Sequence, residues 1–233
     1  MVPAADGRFT VIVAIDGPAG AGKSTIAERV GAALGFTYLN SGAIYRAVTW
    51  KALQLNQPDA EPQRIAAIAG ELELTYQDGV LYVDGQRRDD ALRGEAIDRY
   101  VSRHSAVQPV REMVNNRLRA IASRQDVIVE GRDIATVVFP DADVKIYLDA
   151  SVEMRAQRRW EQQESDLTLD EIRRRIAERD ELDRKKRTGS LKQAADALYL
   201  DTSVLTIDEV CETVIKTIRE TQQYREQQRT YGR

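Results

Sequence analysis

Residues 10–25 read Thr10-Val11-Ile12-Val13-Ala14-Ile15-Asp16-Gly17-Pro18-Ala19-Gly20-Ala21-Gly22-Lys23-Ser24-Thr25. The first six are β-branched or small and largely apolar, which predicts a buried strand, and Gly17-Pro18 ends it in a loop. From Lys23 the apolar positions Ile26, Val30, Ala33 and Leu34 recur at helical spacing. Between strand and helix, Gly17 to Ser24 fits G-x-x-x-x-G-K-[ST]. The small residues let backbone N–H groups ring a polyphosphate, and the helix N-terminus adds the positive end of its dipole. In such a loop the lysine, here Lys23, reaches the β- and γ-phosphates, and the hydroxyl, here Ser24, ligates Mg²⁺. A Gly-rich turn that matches by chance is the plain alternative; a strand before it and a helix after it argue against that. The expected ATP contacts are Gly17, Pro18, Ala19, Gly20, Ala21, Gly22, Lys23, Ser24 and Thr25.

Outward from this loop the alternation continues. A short strand at Phe36–Leu39 precedes a helix carrying Ile44, Val48, Ala52 and Leu55, the signature of a parallel sheet covered by helices. Near Gly70 the pattern changes. Leu72, Leu74 and Tyr76 alternate with polar residues, Asp78-Gly79 turns the chain, and Val80–Val83 runs to a second turn at Asp84-Gly85. That predicts an antiparallel hairpin, foreign to a parallel sheet. Helical spacing returns with Val110, Met113, Val114, Leu118 and Ile121, and Val127–Val129 and Val144–Leu148 supply two more core strands. Helices are expected from Val152 and from Leu169, the second opened by a Thr168…Glu171 capping box. Leu198–Leu200 gives a fifth parallel strand. A last helix starts near a second box, Thr206…Glu209, and is expected to fray beyond Thr221. The organisation expected is one α/β domain over 1–233. It has a core at about 9–64, 100–150 and 190–222, a small antiparallel insert at about 65–99, and a short helical lid at about 152–167.

Bulk composition narrows the function classes. With 233 residues, 42% hydrophobic and 30% charged, the chain can bury a real core. A net charge of −3 argues against nucleic acid or an anionic membrane surface as the main partner. The lone Cys211 excludes an internal disulfide and a cysteine-based zinc site. Met1–Arg8 lacks the apolar run of a secretion signal, and Val11–Ile15 is too short to span a bilayer. A soluble cytoplasmic protein is expected, a monomer by default. His104, the only histidine, is expected on a helix surface.

A loop for a donor phosphate needs an acceptor. Asn40-Ser41-Gly42-Ala43-Ile44-Tyr45-Arg46, where the second strand meets its helix, offers a hydroxyl and an arginine at a helix N-terminus, a second anion site. The bland reading is a Ser41 cap with Arg46 solvated. Glu130-Gly131-Arg132-Asp133 follows the third strand, at the sheet edge where ligands bind in open α/β folds, although an Arg–Asp pair there could be purely structural. Arg179 and Asp183 share a helix face and could be an i,i+4 pair. The Arg173–Arg175 and Arg184–Arg187 runs read as solvated faces.

These segments carry a resemblance. I-D-G-P-A-G-A-G-K-S-T, L-N-S-G-A-I-Y-R-A-V-T, E-G-R-D-I-A-T-V-V-F-P-D-A, R-D-E-L-D and A-A-D-A-L-Y-L-D-T-S, in that order, resemble the bacterial cytidylate kinases from about Val11 to about Ile218. The resemblance implies transfer of a phosphoryl group from Mg²⁺–ATP to CMP or dCMP. It assigns Ser41, Arg46 and Arg132 to the CMP phosphate, Ser102, Arg111 and Asp133 to cytosine, and Arg179 and Asp183 to phosphate and sugar. Arg155, Arg158 and Arg159 match the start of the family's lid, near the ATP phosphates, so Lys23, Arg132, Arg155, Arg159 and Arg179 are the catalytic candidates. The chain departs from the family's pattern at Asn40 and Glu130, where aspartates are usual. It departs again at Gly189-Ser190-Leu191 for Ser-Pro-Leu, and at Lys186, beside Arg187, for an arginine.

Two other functions compete. A UMP kinase would share every phosphate contact and differ only in the base. A P-loop sensor that binds ATP alone would leave Arg46, Arg132 and Arg179 without a shared ligand.

Overall fold

Strand β1 (Ile12–Asp16) lies at the centre of a parallel sheet and sends alternate side chains to opposite layers. In the computed structural model, which describes residues 10–77, 79–162 and 167–231, the sheet order is β2 (Thr37–Asn40), β6 (Val127–Gly131), β1, β7 (Val144–Asp149), β8 (Leu198–Asp201). Val13 and Ile15 pack with Ile128, Ile146 and Leu148 against helices α1 (Lys23–Leu34) and α8 (Ile207–Tyr231). Ala14, Leu39, Val127 and Val129 point the other way, onto α2 (Ser41–Gln54) and α5 (Gln108–Ala122). Both faces are covered, so these strands read as continuous apolar runs. Each large apolar side chain buried here contributes about 1.5–3 kcal/mol, more than a surface ion pair, so the core fixes which way each strand faces.

The antiparallel unit comprises β3 (Leu74–Gln77), β4 (Val80–Val83) and a short β5 (Gln86–Arg87). Helix α3 (Pro62–Glu71) leads into it and α4 (Glu95–His104) follows, packing on α2. Sequence periodicity did not separate α4, whose single apolar stripe is Ile97 and Val101. Asp78, of the expected first turn, lies outside the described residues, as do Met1–Phe9 and residues 163–166 of the expected lid. Helices α6 (Val152–Glu161) and α7 (Leu169–Lys185) pack together through Ala156, Ile172 and Ile176. Both capping boxes form: Glu171 bonds back to Thr168 N at 2.9 Å, and Glu209 to Thr206 N at 2.8 Å.

Two expectations fail. The last helix continues to Tyr231 instead of fraying at Thr221. His104 is buried, its ring nitrogens 3.0 Å from Thr49 Oγ1 and 2.9 Å from Pro58 O, because α4 turns that face onto α2. No described helix is long and apolar enough to cross a membrane.

Candidate active site

The carboxyl ends of β1, β2 and β6 open into one cleft, as expected for a doubly wound sheet. At its floor Gly17 follows β1 so tightly that a Cβ there would stand 1.9 Å from the Leu148 carbonyl oxygen. Only glycine fits. Lys23 opens α1 from the left-handed Gly22, and its ammonium donates to Pro18 O at 2.7 Å. Burial first, then the nearby Arg132, pulls Lys23 down to about 7. An incoming polyphosphate would restore its charge. Asp16, the last residue of β1, accepts from Ile134 N at 2.8 Å and Ala135 N at 2.7 Å. It thereby ties the phosphate loop to the π-helical turn Ile134–Val138 that follows Arg132-Asp133. Burial lifts its carboxyl to about 7, against those two hydrogen bonds.

The Ser24 hydroxyl donates to Glu130 Oε1 at 2.7 Å, and Tyr38 Oη donates to the same oxygen. A hydroxyl and a carboxylate at the loop's mouth are hard oxygen donors, the kind Mg²⁺ takes alongside phosphate oxygens and water. The residues present therefore fit the implied metal. Asn40, not Ser41, caps α2, accepting from Ala43 N at 2.9 Å. Ser41 is thus released from the capping role, and its hydroxyl donates to Glu130 O at 2.7 Å.

All eight residues assigned to the acceptor line one cavity of about 230 Å³: Ser41, Arg46, Ser102, Arg111, Arg132, Asp133, Arg179 and Asp183. Lys23, Ser24 and Arg159 line it too. At its deep end the Arg111 guanidinium donates to the Asp133 carboxylate, both groups buried, and to Ser105 O at 3.2 Å. Burial pushes Asp133 upward while the Arg111 charge opposes it. Arg179 and Asp183 do not pair with each other. Arg179 donates to Asp98 at 3.0 Å, and Asp183 takes Arg132 at 3.1 Å, Lys186 at 2.8 Å and Ser102 at 3.2 Å. Burial would raise the Asp183 carboxyl, but Arg132 and Lys186 outweigh it and hold it well below the usual range. Between the two candidates for the expected arginine position, Lys186 faces the cleft and also reaches Ser105 Oγ at 3.0 Å.

The lid arginines divide. Arg159 reaches into the cleft, where it donates to Asp98. Arg158 clasps Thr202, at 3.1 Å to Oγ1 and 2.6 Å to the carbonyl. It lines a wider opening of about 1480 Å³ with Gly20–Thr25, Thr202 and Leu205–Ile207. Arg155 is buried, donating to Ala150 O at 2.9 Å, Ala19 O at 3.1 Å and Asp180 at 2.6 Å, so it braces the loop from beneath. Sequence reading missed Asp98, Asp180, Tyr38, Ser105 and the Thr202–Ile207 segment. Of these, Asp180 and Thr202 lay within quoted motifs but with no sign of their partners, and no residue type marked Asp98, Tyr38 or Ser105.

A phosphate loop that faces an arginine-lined cleft across the ends of a parallel sheet defines a P-loop phosphotransferase. The family model for cytidylate kinase matches residues 13–220, and the chain belongs to that family. A cytidylate kinase of Borrelia hermsii (strain HS1 / DAH) is 42% identical over 89% of this chain and 97% of its own length. One from Caldanaerobacter subterraneus subsp. tengcongensis is 40% identical over 91% and 96%. Among solved structures, a gluconokinase from Sinorhizobium meliloti 1021 is 15% identical, covering 94% of this chain and 98% of its own, with a TM-score of 0.48.

Proposed function

We propose that this chain transfers the γ-phosphoryl group of ATP to CMP, and to dCMP, giving CDP or dCDP and ADP. The observation that carries the choice of base is the buried Arg111–Asp133 pair, at the far end of a cleft that begins at the phosphate loop. Cytosine offers an N4 amino donor beside the N3 and O2 acceptors. A carboxylate next to a guanidinium presents the complementary acceptor and donors, with Ser102 close by. Uracil carries the O4 acceptor in place of the amine and would meet the Asp133 lone pairs, a buried mismatch that discriminates strongly.

Ser41, Arg46 and Arg132 hold the CMP phosphate in this reading, and Arg179 and Asp183 hold phosphate and sugar. The base of ATP lies along Thr202–Ile207 and Arg158, and its phosphates lie on the loop. A CMP phosphate oxygen attacks the γ-phosphorus in line, the bond to the β–γ bridging oxygen breaks, and ADP leaves. No general base is needed, because a phosphate dianion is already a nucleophile. Lys23, Arg132, Arg159 and Arg179 stabilise the charge spread over the transferring group. Arg155 contributes by fixing Ala19 in the loop. Ser24 and Glu130 would hold Mg²⁺ together with the phosphates, and the bound ion would supply neutralisation of that charge. The antiparallel unit with α4 forms the acceptor-side subdomain, and α6 forms the lid, which excludes water when both substrates are present. The protein acts as a monomer in the cytoplasm.

Incubation with ATP and CMP should yield CDP and ADP in equal amounts, with ADP forming only when a monophosphate is present. ADP released at the same rate without any acceptor would overturn the kinase reading.

A further inference from the structure

The Asp98 carboxylate, on the cleft side of α4, gathers three guanidiniums. One oxygen accepts from Arg46 at 2.9 Å and from Arg179 at 3.0 Å, and the other accepts from Arg159. The arginines come from three different elements, α2, α7 and α6. Guanidiniums from separate elements converging on one anion are the arrangement that binds a phosphoryl group. Here the anion belongs to the chain itself.

We propose that Asp98 is an internal phosphate surrogate: it keeps Arg46, Arg159 and Arg179 assembled, and substrate phosphate must displace it, so it sets the affinity of the site for phosphorylated ligands. The inference rests on the phosphotransferase reading but not on the identity of the base. Burial works against the Asp98 charge, yet Arg46, Arg179 and Arg159 outweigh it and hold the carboxyl at about 2, so it is ionised throughout the neutral range. A carboxylate offers two oxygens and one charge. A phosphate offers three oxygens and about two charges near neutrality, so it wins the guanidiniums once it arrives. The apparent affinity is nevertheless lowered by the fraction of molecules in which Asp98 still holds them. Displacement also passes the Arg159 tie between α6 and α4 from protein to ligand, while the neighbouring Glu95–Arg175 pair, at 2.9 Å, still joins α4 to α7.

A purely structural brace and a surrogate predict opposite signs. Loss of a brace would let the arginines drift and weaken anion binding; loss of a surrogate would strengthen it. The test titrates inorganic pyrophosphate, a probe without a base, into the wild type, Asp98→Asn and Glu95→Gln by calorimetry, with circular dichroism to check the fold. Asp98→Asn should bind pyrophosphate at least about fivefold more tightly, and Glu95→Gln should match the wild type. Equal or weaker binding by Asp98→Asn overturns the proposal. So does an equal gain in Glu95→Gln, which would mark a general charge effect. Should Asp98→Asn not fold, a crystal structure of the wild type with pyrophosphate decides. The anion should sit on the three guanidiniums with Asp98 beyond hydrogen-bond reach, and retention of all three pairs to Asp98 overturns the proposal. A wild type that fails to turn over CMP would sink the CMP reading and leave these outcomes untouched.

Discussion

Adjacent residues of the cleft, Arg132 and Asp133, should fail in different ways when replaced. Asp133→Ala should lose most activity on CMP and also narrow the gap between CMP and UMP, because one carboxylate both favours the N4 amine and penalises O4. Arg132→Ala should weaken both substrates alike, since both carry the same phosphate. The check is kcat/KM for the two substrates in each variant. Equal losses of CMP and UMP in Asp133→Ala would make Asp133 only a structural partner of Arg111. Gly189 offers a second test. Its backbone has a φ of +68°, and a Cβ there would stand 2.1 Å from Arg111 Nη1. The guanidinium can move aside, but only by leaving Asp133 and Ser105. Gly189→Ala should therefore raise KM for CMP by about tenfold, a loss of about 1.4 kcal/mol, and leave KM for ATP unchanged. An unchanged KM for CMP would contradict the close approach.

At the scale of elements, helix α4 shows where sequence reading stops. Gly17–Ser24 could be read because its chemistry is contiguous, and the sheet could be read because strand and helix periods alternate around it. Asp98 and His104 could not. Their partners lie 46–81 residues away, and a lone aspartate or histidine on a short amphipathic helix carries no local pattern. Nor could the sequence show that Arg179 and Asp183, four apart, go to different partners: Arg179 pairs with Asp98, and Asp183 with Arg132 and Lys186. Asp98 also links α4 to stability. Its carboxyl is held at about 2 against an ordinary 3.8, so its stabilising contribution is complete above about pH 4 and is lost as pH falls toward 2. Asp98→Asn should cost about 2 kcal/mol near neutrality, and the deficit should shrink toward zero near pH 2. Urea unfolding at both pH values measures it. A deficit that does not change with pH would mean that packing, and not charge, ties α4 down. If the deficit does shrink as predicted, the residue that braces the unliganded cleft is also the one proposed to weaken its hold on phosphate.

For the whole molecule, the parallel sheet fixes the distance between the donor loop and the acceptor cleft. Asp16 couples the two by bonding the turn after Asp133 from the end of β1. The motif order along the chain therefore becomes an arrangement in space in which Lys23, Arg111 and Asp133 line one cleft. The family and the phosphate loop were legible in the sequence. The buried bracing of Arg155 and the clasp of Arg158 on Thr202 were not, because one arginine-rich helix start serves two sides of the loop. This arrangement should select cytosine, and the decisive number is the ratio of kcat/KM for CMP to that for UMP in the wild-type protein, with saturating ATP and Mg²⁺. The ratio should be at least about 100, as a buried hydrogen-bonding mismatch requires. A ratio near one would contradict it.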